Sequence, residues 1–258
     1  MRPLVARQAC LEALGRIGTA HPEVVPALMA TLRAADDGDA AAVLREGAAD
    51  AVALIGPAAA PVVPALIRAA GDAHEPVRRK VFIALGTMGG QTEIALPTMI
   101  EAMAFDESPA VRDAAEEALA KVGPAAIPAL VQVLRDDDVE LRLRAARALR
   151  RMGGIARSAK NDLRTALHDA DAGVRIEAAG ALLQLTDDPG EYLPTLVECL
   201  TSRERGVRMQ ASQLLIDLGP PARPAASLLE DLLDHERPEV RRLAAETLKK
   251  MKVAPPAR

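Results

Sequence analysis

Two His-Glu pairs, His74-Glu75 and His235-Glu236, and two acidic runs, Asp36-Asp37-Gly38-Asp39 and Asp136-Asp137-Asp138, are where metal chemistry could begin in this 258-residue sequence. Imidazole with carboxylate is a transition-metal donor set, and clustered carboxylates suit a divalent cation. The spacing argues against both. The His-Glu pairs precede prolines, Pro76 and Pro238, which places them in turns, and the acidic runs lack the alternating donors and distal glutamate of a calcium loop. Cys10 and Cys199 lie far apart with no cysteine or histidine at ligand spacing, so they form no disulfide framework and read as a reducing compartment or as simple indifference to redox. There is no Gly-x-Ser-x-Gly elbow, Gly-x-x-x-x-Gly-Lys loop or His-Glu-x-x-His helix. The double glycines Gly89-Gly90 and Gly153-Gly154 read as helix ends. The expectation is a non-enzyme with no catalytic residue, no metal and no cofactor.

Composition narrows the field further. Half of the residues are hydrophobic, yet the aromatic ones are Phe82, Phe105 and Tyr192 alone, so the core must be aliphatic. That much aliphatic material excludes a disordered tail. The 32 basic and 36 acidic residues give a formal charge of -4, which offers no general attraction to nucleic acid or anionic lipid. No apolar run reaches the ~18 residues of a membrane span. Arg7, Glu12 and Arg16 interrupt the N-terminal segment where a secretory leader would be apolar. A cytoplasmic setting with neither nucleic acid nor membrane as partner is expected.

The elements that must position any site are repeats. The line Arg-x-x-Ala-x-x-Ala-Leu-x-x-(Ile/Leu/Met/Val)-Gly recurs, with small variations, from Arg7, Arg45, Arg78, Arg112, Arg142 and Arg208, and without its glycine from Arg175 and Arg241. The steps between successive arginines are 38, 33, 34, 30, 33, 33 and 33 residues, which is the period of a stacked-repeat architecture. Positions -1, +3, +7 and +10 from the arginine are apolar, as in Val111, Ala115, Leu119 and Val122, the period of a helix. The glycine at +11 suits a left-handed helix stop, and proline follows it at Pro57, Pro124 and Pro220. A second apolar stretch, with a proline near its start (Pro26, Pro64, Pro97, Pro128, Pro194), supplies the other helix of each unit. An aspartate six residues before the arginine (Asp39, Asp72, Asp106, Asp136, Asp169) is placed to accept amides of the coming helix. Two short helices cannot bury both apolar faces alone, so the units must stack.

The line Val111 to Gly123, repeated in register along essentially the whole chain, resembles the HEAT repeat, in particular the short bacterial variety of the phycobilisome-lyase type. The resemblance implies an all-α fold: a right-handed, armadillo-like α-solenoid of about eight two-helix repeats, forming a single domain over residues 1–258. Its arginine-bearing helices would line the concave side. It also implies a ladder between neighbouring units, using Asp72, Asp106, Asp136 and Asp169 with Arg78, Arg112, Arg142 and Arg175. Ser202 departs from that pattern, and Asp234 is one residue out. The first repeat is only half present, up to Gly18, and the last gives way to the tail 253–258, so a worn terminal helix and a piece of a longer protein both remain open. A HEAT-like di-iron enzyme, deoxyhypusine hydroxylase, carries its His-Glu pairs inside the second helix. The corresponding positions here hold Glu46-Gly47, Arg79-Lys80, Asp113-Ala114 and Ile176-Glu177.

With the core at -1, +3, +7 and +10, positions +1, +5 and +8 form the exposed stripe of the arginine-bearing helices. In the first four units the stripe holds Glu12, Glu46, Asp50, Asp113 and Glu117 against Arg79. It then presents Leu143 with Arg147 and Arg150, followed by Ile176, Leu183, Met209 and Ile216. Adjacent exposed aliphatic side chains mark contact surfaces. The reading is a scaffold that binds a protein or extended peptide through these seven residues. A lyase or enzyme subunit acting on a tetrapyrrole or protein side chain is the alternative.

Overall fold

The computed structural model describes residues 2–34 and 38–251; Met1, Asp36 and Asp37 of the first acidic run, Lys252 and the tail 253–258 lie outside the described residues. The described residues contain α-helices, short 3-10 turns and no strand. Helix α1 (Arg2–Ile17) is followed by seven pairs: α2 (Val24–Leu32) with α3 (Asp39–Ile55), α4 (Val63–Ala69) with α5 (Glu75–Met88), α6 (Leu96–Phe105) with α7 (Pro109–Val122), α8 (Ile127–Val133) with α9 (Val139–Met152), α10 (Lys160–Ala166) with α11 (Ala172–Leu182), α12 (Leu193–Cys199) with α13 (Arg205–Leu218), and α14 (Ala226–Asp231) with α15 (Pro238–Lys250). This is the α-solenoid expected from the repeat.

Local chemistry sets the ends of these helices. Pro64, Pro97, Pro128 and Pro194 each stand at the second residue of their helix, where an amide would have no intrahelical acceptor. Gly56, Gly89, Gly123, Gly153 and Gly219 close α3, α5, α7, α9 and α13 with φ between +57° and +88°. Their ψ values, -125° to -148°, differ from the left-handed helical stop expected. This region is the mirror image of extended backbone, which only glycine enters freely. Where the glycine is missing the helix stops sooner: α11 ends at Leu182 and passes through a hydrogen-bonded turn to Thr186.

The chain gathers into two compact units, Met1–Ala129 and Leu130–Arg258. In the first, α1, α3, α5 and α7 pack side by side as one layer, with α2 against α3, α4 against α5 and α6 against α7. In the second, α9, α11, α13 and α15 form the equivalent layer, backed by α10, α12 and α14. Val111, Ala115, Leu119 and Val122 are all buried, as are Leu141, Ala145, Leu149 and Met152. Positions +4 and +6, such as Phe82 with Ala84 and Ala146 with Ala148, are buried too, because each helix also touches its neighbours within the layer. Small residues at +6 let the helices approach closely. Between α13 and α15 this lateral contact includes a buried hydroxyl pair, Ser212 Oγ and Thr247 Oγ1, 2.7 Å apart. The helical stretch 39–69 is long and apolar enough to cross a membrane by length and composition, contrary to the expectation from uninterrupted apolar runs. Gly56 breaks that stretch into α3 and α4, and both helices bury a face in the stack.

Three rungs of the ladder are present within the two units, and each spans two turns. Arg45 donates to Asp72 at 2.6 and 3.2 Å, Arg78 to Asp106 at 2.8 and 3.0 Å, and Arg142 to Asp169 at 2.7 and 3.1 Å. The remaining Nη1 of Arg78, Arg112, Arg142, Arg175, Arg208 and Arg241 donates to carbonyls of the arginine's own preceding turn. The aspartates do not cap the helices, as the sequence suggested. Asp72, Asp106, Asp136 and Asp169 accept the amide two residues on, before the helix begins. At Ser202 no carboxylate is available, and Arg175 turns to Glu198 at 3.4 Å. Burial alone would raise the Asp72 carboxyl, but the Arg45 hydrogen bonds, the His74 amide and the Arg45 charge hold it below its ordinary range. Asp169 is held down in the same way by Arg142 and the Asp171 amide. A further rung in the other layer joins Arg164 to Glu191 at 2.8 and 2.9 Å, and this hydrogen bonding brings the Glu191 carboxyl down to about 2.

Candidate functional site

Helix α11 is poor in bulk, and this shapes the surface above it. Gly173 and Gly180 lie two turns apart on one face of a helix otherwise rich in alanine, and every residue from Gly173 to Leu182 except Arg175 is buried. Side chains of α9 fold down onto the two glycines. A Cβ at position 173 would meet Leu143 Cδ1 at 3.3 Å, and one at position 180 would stand 2.7 Å from Arg150 Nε. One turn before Gly180, the buried carboxylate of Glu177 accepts Arg150 Nη1 at 2.9 Å and has Arg147 Nε at 3.6 Å. From the other side, Gln210 of α13 donates to Glu177 Oε1 at 3.2 Å. Gln184 donates to the Arg150 carbonyl at 3.1 Å, tying the end of α9 to the end of α11. Arg147, Arg150, Arg151, Glu177 and Gln184 line an open cleft of about 460 Å³.

The family models are decisive at this point. The profile described as HEAT repeats matches residues 37–120, 96–184 and 127–216, and the one described as PBS lyase HEAT-like repeat matches residues 6–34. The chain belongs to the HEAT-repeat family. Among solved structures, yeast importin-beta (Kap95p) is similar in fold at 14% identity and a TM-score of 0.54, covering 89% of this chain and 35% of its own. A Kap121p mutant is similar at 15% identity and a TM-score of 0.53, covering 95% of this chain and 36% of its own. The CpcE–CpcF complex of phycocyanin lyase from Nostoc sp. PCC7120 aligns at 24% identity over 90% of this chain and 94% of its own, with a TM-score of 0.44. No curated protein matches by sequence.

Within this HEAT-repeat layer the expected stripe is only partly open. Ile176 is 1% exposed, which corrects its assignment to the surface. The cause is the glycine-rich face of α11: neighbouring side chains close over a helix that cannot hold them off. The expected continuous apolar surface is therefore interrupted. Met209 is 50% exposed, while Leu143, Leu183 and Ile216 are half-buried and do not line the arginine cleft. Arg147 and Arg150 do come together, but over Glu177, a residue that the stripe counting passed over because +2 falls between the core and exposed positions. The available signal was Gly180, since a glycine inside a helix marks a close approach.

The acidic stripe of the first unit is less bare than its sequence suggests. Lys80 reaches Asp50 at 2.9 Å, Lys121 reaches Glu117 at 2.7 Å and Arg16 reaches Glu12 at 2.6 Å. Both histidines lie in the turns that precede a helix, with Glu75 already the first residue of α5 and Glu236 still before α15. His74 precedes α5 with Nδ1 3.2 Å from Asp72, and His235 Nδ1 accepts the Arg237 amide at 3.1 Å. Among the described residues, no three His, Cys, Asp or Glu side chains converge as a metal-binding group.

Proposed function

We propose that this HEAT-repeat chain is a non-catalytic scaffold that binds a protein or extended peptide along the solvent face of α9, α11 and α13. The observation that carries the reading is the change of character along that face. The arginine cleft of α9 and α11 is followed by Met209, half-exposed on a helix whose stacking does not need it there. An arginine cluster beside an exposed methionine combines residues enriched in protein interfaces. The carboxylates held below their ordinary range, Asp72, Asp169 and Glu191, are each locked to an arginine between turns, which makes them structural groups and leaves no poised acid or base among them. The match of residues 6–34 to the PBS lyase HEAT-like repeat favours one second reading, a lyase-type role. A change in the absorbance of an added linear tetrapyrrole on mixing with the protein would select it.

The test is partner capture from native lysate by the wild-type chain and by Met209→Asp combined with Ile216→Asp. Loss of the captured protein with an unchanged melting temperature supports the reading. Unchanged capture by the folded double variant overturns it.

A further inference from the structure

We propose that the turn before α13 holds a binding site for a small carboxylate anion, which completes the arginine ladder where the sequence has a serine in place of the aspartate. The motivation is a comparison within the chain. Arg45, Arg78 and Arg142 each present the Nε–Nη2 edge of the guanidinium to an aspartate carboxylate, at 2.6–3.2 Å. Arg175 is anchored as they are: its Nη1 donates to the Asp169 and Ala170 carbonyls at 2.8 and 3.0 Å, just as Nη1 of Arg78 and Nη1 of Arg142 each hold two carbonyls of the preceding turn. Its free edge faces the turn of Ser202, and its Nε is buried with no hydrogen-bond partner among the described residues. A buried donor on a charged group is costly to leave unpaired, so an anion that pairs it gains that difference on binding.

The surroundings leave this role to an anion from outside the chain. Glu198 reaches Arg175 Nη2 at 3.4 Å, but its side chain is 64% exposed and Nε stays unpaired. The Cys199 thiol lies beside Arg175, yet burial pushes it up to about 11, so at neutral pH it keeps its proton and supplies no charge. Glu204 is exposed and forms no ion pair among the described residues. Two further guanidiniums hold the turn from the other side: Arg208 donates to the Ser202 carbonyl at 3.0 Å, and Arg237 donates to the carbonyls of Thr201 and Ser202. Both bond backbone oxygens and form no ion pair among the described residues, so they fix the turn and make it locally positive. Ser202 Oγ accepts the Glu204 amide at 3.2 Å, the bond that an aspartate oxygen makes in the other turns. What the serine lacks is the rest of the carboxylate. A one- or two-carbon carboxylate supplies two coplanar oxygens matched to the parallel N–H bonds of Nε and Nη2, which a single halide ion does not. Binding there ties the order of the turn between α12 and α13 to the concentration of a small organic acid.

The test follows the arginine Nε–H signals of the 15N-labelled chain by proton–nitrogen correlation NMR during titration with sodium formate, against sodium chloride at equal ionic strength. One Nε–H signal should move downfield and saturate in formate and stay in place in chloride. Ser202→Asp supplies the carboxylate from the chain itself and breaks no existing ion pair. In that variant the same signal should be displaced without formate and should no longer respond to it. The wild-type melting temperature should rise by about 2–4 °C in saturating formate relative to chloride, and that of Ser202→Asp should not. Glu198→Gln, at an exposed residue, should leave the formate response intact. Should Ser202→Asp fail to fold, Arg175→Lys decides, because lysine keeps the charge but has no Nε–H edge, so the responding signal should be missing. No displaced signal in formate, an equal displacement in chloride, a formate response that persists in Ser202→Asp, or a responding signal still present in Arg175→Lys each overturns the site.

Discussion

Arg78 and Asp106 meet through two parallel hydrogen bonds, 2.8 Å from Nε and 3.0 Å from Nη2, with both side chains buried. The aspartate also accepts the Ser108 amide at 2.9 Å, and the arginine holds the carbonyls of Asp72 and Ala73. Asp106 is therefore a junction between two turns. Without Asp106 the guanidinium keeps Glu107 at 3.1 Å, so the cost is that of the lost charge-assisted hydrogen bonds, about 1.5–3 kcal/mol. Asp106→Ala should lower the unfolding free energy by that amount in urea titration. A loss below about 1 kcal/mol would show that the rung is dispensable.

Ser202 occupies the position that aspartate holds at residues 72, 106 and 169. Its Oγ accepts the Glu204 amide at 3.2 Å, as the aspartates accept theirs, but it cannot receive Arg175. Arg175 instead reaches Glu198, whose side chain is 64% exposed. Ser202→Asp should supply the missing carboxylate and raise stability by about 1.5–3 kcal/mol, the range of a hydrogen bond to a charged group. An unchanged or lower melting temperature would mean that the turn before α13 does not bring residue 202 within reach.

Ile176 and Met209 both stand at +1 of their helices, yet the first is 1% and the second 50% exposed. Ile176→Ala should cost about 2–5 kcal/mol, as for a large-to-small change in a core. Met209→Ala should stay within about 0.5 kcal/mol. Equal effects at the two sites, read from thermal melts, would contradict the covering of α11.

Acid should weaken the fold through the rungs. Asp72, Asp169 and Glu191 are held below their ordinary range in the folded chain, so each contributes stability that is full above its unfolded value and is lost as pH falls through the folded one. For Glu191 that window runs from 4.5 down to about 2. The melting temperature should be level near neutrality and fall through this acid range. Arg164→Leu should make the fall shallower by removing Glu191's share. A profile that Arg164→Leu leaves unchanged would show that this exposed rung contributes nothing.

Much of this was legible in the sequence because stacking imposes one period on every unit. Val111, Ala115, Leu119 and Val122 declare a buried face, Gly123 its end, and Pro128 the start of the next helix. The rungs were implied by the resemblance to the HEAT repeat, whereas the six-residue offset between Asp106 and Arg112 by itself suggested only a helix cap, because an offset within one unit does not show which arginine of the neighbouring unit reaches the carboxylate. The candidate site was harder to read, because helical periodicity describes one helix and says nothing of what leans over it. Ile176 has the spacing of a surface residue yet is core, on a helix whose Gly173 and Gly180 let Leu143 and Arg150 of α9 come close. Glu177 escaped notice for the same reason: its importance comes from α9 and α13, each about one repeat away in the chain.

Cys199 lies in α12, three residues before the Ser202 gap in the ladder, buried to 1% exposure, with burial pushing its thiol up to about 11. Cys10, the other cysteine, is exposed. The protein thus carries a built-in chemical clock. A thiol reagent at neutral pH should consume Cys10 at once and then wait for Cys199, because a protonated, covered sulfur reacts only in molecules that have opened around it. The slow phase times the local opening of the chain around α12, beside the turn where Ser202 leaves Arg175 without an aspartate, and Ser202→Asp should lengthen it.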